Sequence, residues 1–381
     1  MKSALIQLLL LASFGLWGLE SSNRFALYGD LEEEQQRLGT LWAMDISESL
    51  DLQALSLQGE YSMYARYQSS WEDGHNATMN AESYRAWVSL SRPQTELRIG
   101  LQRLNFGSAR ILRPLQWFDT LDPLDPHQYT SGVEAALLRH HWLNNANLWV
   151  WVIRGTEQRS MSTGEDRIAD VSSAQATKSL PFTELRSVST RDVSNPRGNP
   201  DPGKNFSSKE DSPELGGRVQ YPSPLGDLAI SYHHRKLEQG AEDRAGLDLR
   251  MDHTIGSWIE ASVSAFRDAP LLPDYVLALT LGADCTFSIG NGLAITAEQM
   301  MISSGGHDNK HIEKLPAALM LSYPLGLLDS VSAIGSIEYK EGDYALGVIW
   351  QRVYDIISWE LTVGTSSLTG SSLRAMINAH L

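Results

Sequence analysis

The chain predicts an all-β fold, a single antiparallel transmembrane β-barrel. Three observations predict it. Segments that alternate apolar and polar residues recur along the whole length. The connections between them alternate strictly between tight turns and longer polar loops. Beyond the N-terminus no run approaches the ~20 apolar residues of a transmembrane helix, which a barrel does not need. A period of two sends successive side chains to opposite faces, so each segment has one apolar and one polar face.

The N-terminus reads as an export signal. Lys2 supplies a short positive region, Ala4 to Leu16 is an almost unbroken apolar run, and Ser13, Gly15, Gly18 and Ser22 offer small residues for cleavage. Residues 1–22 are therefore expected to be a cleaved signal peptide. Residues 23–49, with Phe25 to Ile46, fit no clear register and are expected to be a periplasmic arm or an additional hairpin. Residues 50–381 are expected to form the barrel. A formal charge of -15 over 381 residues argues against nucleic acid, whose phosphates need a basic face. The single cysteine, Cys285, excludes an internal disulfide and a cysteine-based zinc site.

The strands follow in order. Leu57, Gly59, Tyr61, Met63, Ala65 and Tyr67 alternate with Gln58, Glu60, Ser62, Tyr64 and Arg66. Leu228, Ile230 and Tyr232 oppose Ala229, Ser231, His233 and Arg235, and Leu247, Leu249 and Met251 oppose Asp248, Arg250 and Asp252. Ile259 to Ala265, Trp359 to Gly364 and Leu373 to Leu381 repeat the pattern. Each run is about ten residues, the length of a tilted strand crossing a bilayer.

Tight turns are expected at 91–94, 143–145, 222–224, 253–256, 290–292, 324–326 and 354–355, where Gly, Asn, Asp and Pro supply turn geometry. Longer connections fall at 68–80, 105–130, 156–213, 236–244, 267–273, 303–314, 340–343 and 367–371. Seven turns and eight loops give sixteen strands, with eighteen as the alternative if Phe25 to Ile46 is a hairpin. Short turns on the periplasmic side and long loops outside are the asymmetry of membrane barrels. Trp142, Tyr221, Tyr323 and Tyr354, near the turns, would form an aromatic girdle.

Two long connections differ in kind. Residues 156–213 are rich in Ser, Asp, Arg, Pro and Gly and offer little apolar surface, which suits a mobile extracellular loop. Residues 105–130 carry Ile111, Leu112, Leu115, Trp117, Phe118 and Leu121, so this loop is expected to pack inside the barrel and narrow it. Its charges, Arg110, Arg113, Asp119, Asp122 and Asp125, could create a transverse field across a constriction. Alternatively the Asp-Pro pairs only set turns. Glu60, Arg66, Arg85, Arg98, Gln102, Arg218, Asp248, Arg250, Glu260, Glu298 and Glu360 are expected to line the pore. The carboxylate surplus predicts a mild cation preference, screened where the charges lie in loops.

The run from Leu97-Arg98-Ile99-Gly100-Leu101-Gln102 to Asn105-Phe106-Gly107 leads into Leu112-Arg113-Pro114, Trp117-Phe118-Asp119 and Leu121-Asp122-Pro123-Leu124-Asp125-Pro126, then Gly132-Val133-Glu134-Ala135. Over about 45 residues this resembles a group of uncharacterised outer-membrane porin-like proteins of Gram-negative bacteria. The resemblance implies a barrel channel in the cell outer membrane and supplies no catalytic residue or agreed substrate. Many such barrels end on an aromatic residue, whereas this chain ends on Leu381, apolar and in phase.

Motifs for enzyme chemistry are missing from the sequence: there is no HExxH, no P-loop, no GxSxG and no GxGxxG. His140-His141 and His233-His234 are neighbours on strands, so the members of each pair point to opposite faces. No catalytic residue, metal or cofactor is expected. Expected partners are membrane lipid and lipopolysaccharide, small solutes and the barrel-assembly machinery, with a homo-oligomer compatible. The favoured function is passive passage of small polar or charged solutes. The alternatives are a transporter of apolar substrates of the fatty-acid or hydrocarbon type, a barrel enzyme or a structural barrel.

Overall fold

The computed structural model describes residues 20–32, 36–52, 54–71, 75–119, 130, 132–155, 208–209, 212–270, 272–306, 310–367 and 370–380. Its strand segments run in chain order as β1 (Glu20–Glu32), β2 (Gln36–Leu52), β3 (Leu55–Trp71), β4 (His75–Arg92), β5 (Thr95–Gln102), β6 (Val133–His141) and β7 (Asn147–Arg154). Then come β8 (Pro213–Ser223), β9 (Gly226–Lys236), β10 (Ala241–Asp252), β11 (Gly256–Arg267), β12 (Tyr275–Phe287) and β13 (Leu293–Gly305). The last are β14 (Lys310–Lys314), β15 (Pro316–Pro324), β16 (Asp329–Glu338), β17 (Tyr344–Val353), β18 (Ile357–Ser366) and β19 (Gly370–His380). Among the described residues no helix is long and apolar enough to cross a membrane.

All segments belong to one antiparallel sheet in sequence order, and β1 pairs with β19, so the sheet closes without an edge. β14 and β15 both pair with β13 and form one wall strand, which makes eighteen strands around the barrel. The strand breaks at Leu315 because Pro316 has no N–H to give the ladder and the register shifts beside Ile302. Glu338 repairs the break by accepting the Leu315 N–H at 2.9 Å.

Eighteen, not sixteen, is the strand number. Phe25 to Ile46 is the hairpin β1–β2, with Phe25 opposite Trp42 and Leu27 opposite Thr40. Its period was hard to read because Ala26, Tyr28, Leu41 and Ala43 make the inward face apolar as well. The turn at 53–54 joins Leu52 to Leu55 without a Gly, Asn or Pro to mark it. Glu20 to Ser22 already belong to β1, and the rest of the expected signal peptide lies outside the described residues.

The seven tight turns each fall between two strands. At Leu143–Ala146, Asn145 adopts φ 64°, a left-handed angle that Asn tolerates, and Trp142 N–H closes the turn on Ala146 O at 2.9 Å. The connections expected at 68–80 and 303–314 are shorter than their polar composition implied. β3 runs to Trp71 and β4 starts at His75, and β13 runs to Gly305 before β14 begins at Lys310. Outward positions carry exposed apolar side chains such as Leu27, Leu97, Ile230, Leu281, Leu346 and Leu373, whereas the opposite face is mostly polar. An apolar exterior around a polar interior is the inverse of a soluble sandwich.

Candidate functional site: a loop across the lumen

Residues 103–119 leave the end of β5 and cross the interior. Their tip, Ile111 and Leu112, packs against Ala318 on β15, Ile334 on β16 and Ala345 on β17. β15 belongs to the ninth wall strand from β5 in an eighteen-stranded ring, so the tip stands on the opposite side of the lumen. Ile111, Leu112, Leu115, Trp117 and Phe118, which marked this loop in the sequence, are what seat it, and Leu121 lies outside the described residues.

The near half of the loop is fastened by an aromatic cluster. Phe106 stacks on Trp151 at 5.6 Å and meets Trp117 edge-on at 5.4 Å. Phe118 approaches Trp151 at 5.7 Å and His233 at 5.0 Å, both edge-on. Leu104, Leu115, Val133, Leu137 and Ile153 complete this cluster. Rings in these geometries gain ~0.5–1.5 kcal/mol per pair beyond their burial. Trp151 donates its indole N–H to His233 Nδ1 at 3.2 Å, which leaves His233 Nε2 to carry the proton and donate to Glu214 at 3.1 Å.

The far half is held by two carboxylates of the wall. Glu260 on β11 accepts the backbone N–H groups of Ser108 (2.8 Å), Ala109 (2.9 Å) and Leu115 (2.8 Å). Glu298 on β13 accepts those of Arg110 (2.6 Å), Ile111 (3.0 Å) and Leu112 (2.5 Å). Thr280, opposite Glu260 on β12, donates to Leu112 O at 2.8 Å, and Trp117 donates to Ser262 at 3.0 Å. Backbone groups that leave water need partners, and hydrogen bonds of this kind contribute ~0.5–1.5 kcal/mol each.

Gly246 on β10 lets the loop lie this close. A Cβ there would fall 2.3 Å from Leu115 Cδ2 and 3.1 Å from the Trp117 ring. The limb returning to β6 is fixed by Arg85, which donates to Thr130 O at 3.0 Å and to Thr130 Oγ1 at 3.3 Å. Arg85 sits beside a β-bulge at which the β3–β4 register passes over Tyr84. The bulge turns Tyr84 inward too, where its hydroxyl donates to Asp45 at 2.5 Å.

The proposed constriction charges are distributed unequally. Among the described ones Arg110 is the most exposed, 47 % in its side chain, and pairs with Asp284 at 2.7 Å. Arg113 bonds Asn105 Oδ1 and lies 3.5 Å from Asp119, which Arg103 also approaches at 3.6 Å. Asp119 is therefore enclosed between two guanidiniums of its own loop and faces no open lumen. Asp122 and Asp125 lie outside the described residues.

The strand registers put all eleven expected lining residues on the inward face, in three settings. Glu260, Glu298 and Arg85 hold the loop. Gln102, Arg218, Asp248 and Glu360 are buried; Arg218 pairs with Asp248 at 2.6 Å and Gln102 bonds Ala135 O at 2.9 Å. Glu60, Arg66, Arg98 and Arg250 keep partial exposure. Sequence reading missed Thr280, Gly246 and Thr130, whose roles rest on distant contacts that no local pattern signals.

Accessible surface is uneven along the inner wall. Inward Glu214, Arg218, His233, Arg244, Glu260 and Glu298 of β8 to β13 are buried beneath the loop or against one another. Inward Arg24, Asp45, Tyr64, Arg66 and Arg98 on β1 to β5 and Gln351 on β17 keep accessible surface, whereas inward Ser358, Glu360, Thr362 and Ser366 on β18 are buried. Arg98 covers the Trp87 ring at 3.9 Å and shares Glu96 with Arg139, at 2.7 and 3.6 Å.

The same barrel is found in solved structures. OccK5 (OpdH) of Pseudomonas aeruginosa is 12% identical with a TM-score of 0.57, over 95% of this chain and 97% of that one. OccD3 (OpdP) of the same organism is 10% identical with a TM-score of 0.57, over 96% and 92%. OccAB4 of Acinetobacter baumannii is 9% identical with a TM-score of 0.52, over 95% and 97%. No protein-family model and no curated protein matches the chain. At these identities the likeness is one of fold, a closed eighteen-stranded barrel; the porin-like resemblance implied a barrel and left its strand number open.

Proposed function

We propose that this chain is an outer-membrane channel for passive passage of small polar or charged solutes, narrowed by the loop that begins at residue 103. One observation carries the reading: a closed wall, apolar outside and polar inside, is crossed by a loop fixed to both sides of its lumen. The solute path follows the accessible inward side chains of β1 to β5, among them Arg24, Asp45, Tyr64, Arg66 and Arg98. The turn end, near which β1 begins and β19 finishes, faces the periplasm, and the loop end faces outward. A solved structure of similar fold bears the description outer membrane protein, opdK of Pseudomonas aeruginosa, which supports the outer-membrane location.

The reading for apolar substrates has less support. One inner apolar patch, formed by Ala318, Ile334 and Ala345, is covered by Ile111 and Leu112 of the loop itself, and another, on β1, β2 and β19, is made of the small or hydroxyl-bearing Ala26, Ala43 and Tyr28 with Leu41 and Met376. A liposome-swelling assay tests the proposal. Purified protein should admit small sugars and amino acids at rates falling with solute size. Vesicles containing the folded protein that swell no faster than empty ones would overturn it.

A further inference from the structure

We infer that Glu260 and Glu298 are positioning residues: they hold the loop across the lumen and set the channel's width, and they do not act as charges that attract solute. The inference rests on the channel reading and gives the constriction a defined cause.

The tip has little structure of its own. Between residues 108 and 117 its internal backbone bonds are Gln116 N–H to Arg113 O at 3.3 Å and Trp117 N–H to Leu115 O at 2.9 Å. Its shape is imposed by the wall. Glu260 bonds Ser108 and Ala109 on one limb and Leu115 on the other, so a single carboxylate closes the tip. Glu298 takes three consecutive N–H groups between them. Both carboxylates are buried, 0% and 3% exposed, and neither presents a free oxygen edge to a passing ion. An apolar seat for Ile111 and Leu112 favours docking but does not fix which backbone groups point inward. Acceptors with fixed positions do.

Replacing each carboxylate by its amide removes charge and holding together, and a tether added to that variant restores holding alone. An amide keeps the volume but sets one NH2 group against backbone N–H donors, so E260Q/E298Q should release the tip. The added G246C/L115C pair supplies a covalent tether in place of the carboxylates, because Leu115 lies directly on Gly246.

Hydrogen exchange of the detergent-purified proteins is the direct test, since it needs no conduction. In the native chain the amides of residues 108–112 and 115 should be protected. In E260Q/E298Q they should exchange at least tenfold faster while strand amides stay protected, and oxidation of the cysteine pair should restore protection. In planar bilayers the same double variant should give larger, flickering steps, quietened by the tether. Loop amides that remain protected in a folded E260Q/E298Q protein would overturn the inference. So would unchanged step size with only a shifted reversal potential, since that is the signature of pore-facing charge. A folded native protein with protected loop amides that passes no solute or current would overturn the channel reading alone.

Discussion

Arg374 and Asp30, separated by 344 positions in the chain, meet across the seam that closes the barrel. Arg374 Nε donates to Asp30 Oδ1 at 2.6 Å and an Nη to Oδ2 at 3.3 Å, a two-point contact between β19 and β1. Asp30 is 4% exposed, so the ion pair is an inner fastening of the closure. Arg374→Ala would strand a buried carboxylate, a change that typically destabilises by ~3–5 kcal/mol. The expected result is a lower thermal midpoint for loss of the heat-resistant electrophoretic form, with Asp30→Asn/Arg374→Ala recovering part of it. No change in the midpoint would show that the backbone ladder alone holds the seam.

Gly246→Val places a branched side chain where Leu115 and Trp117 rest on the wall. Overpacking of this kind costs ~1–3 kcal/mol when the neighbours cannot move. Here the loop is the movable partner, so the barrel should keep its stability while single-channel steps become larger and noisier. A large loss of stability with unchanged step size would show that the wall yields first.

Trp151→Ala removes the ring on which Phe106 and Phe118 pack. A fully buried tryptophan truncated to alanine costs ~3–5 kcal/mol, and the cavity would lie at the root of the loop. Unfolding in denaturant should shift accordingly, with widened conductance in the surviving folded protein.

Deleting Arg110 to Asp122 should enlarge conductance, because it removes the tip together with its footing. Unchanged conductance in the folded deletion protein would place this loop outside the conduction path.

The formal charge of -15 predicts a mild cation preference, but the described inward faces argue for a weak anion preference. Two guanidiniums share one carboxylate at Glu96 and again at Asp119. Many of the interior carboxylates, including Glu214, Glu242, Asp248, Glu260 and Glu298, are buried in internal bonds. In a salt gradient the reversal potential should favour chloride slightly, and Arg98→Gln should reduce that preference. A clear preference for potassium would show that loop and rim carboxylates dominate the field.

The fold was legible wherever one strand face was purely apolar. In β10, Leu247, Leu249 and Met251 against Asp248 and Arg250 leave no second reading. β1 and β2 were not, because inward Ala26, Tyr28, Leu41 and Ala43 blur the alternation, and that cost two strands in the count. The loop was legible as an inward loop from Ile111, Leu112, Trp117 and Phe118, since such a run has no reason to stay in water. Its anchors were not. Glu260 and Glu298 read as pore charges because a strand pattern reveals which face a side chain takes and not what it meets 145 or more positions away. Asp119 read as a lumen charge for the same reason, although Arg103 and Arg113 enclose it.

The most direct measurement is single-channel conductance of the purified, refolded protein in a planar bilayer. An open, loop-narrowed channel gives discrete ohmic steps that rise in proportion to salt and grow when residues 110–122 are removed. Silence from a barrel shown to be folded and inserted, with and without those residues, would contradict a water-filled channel.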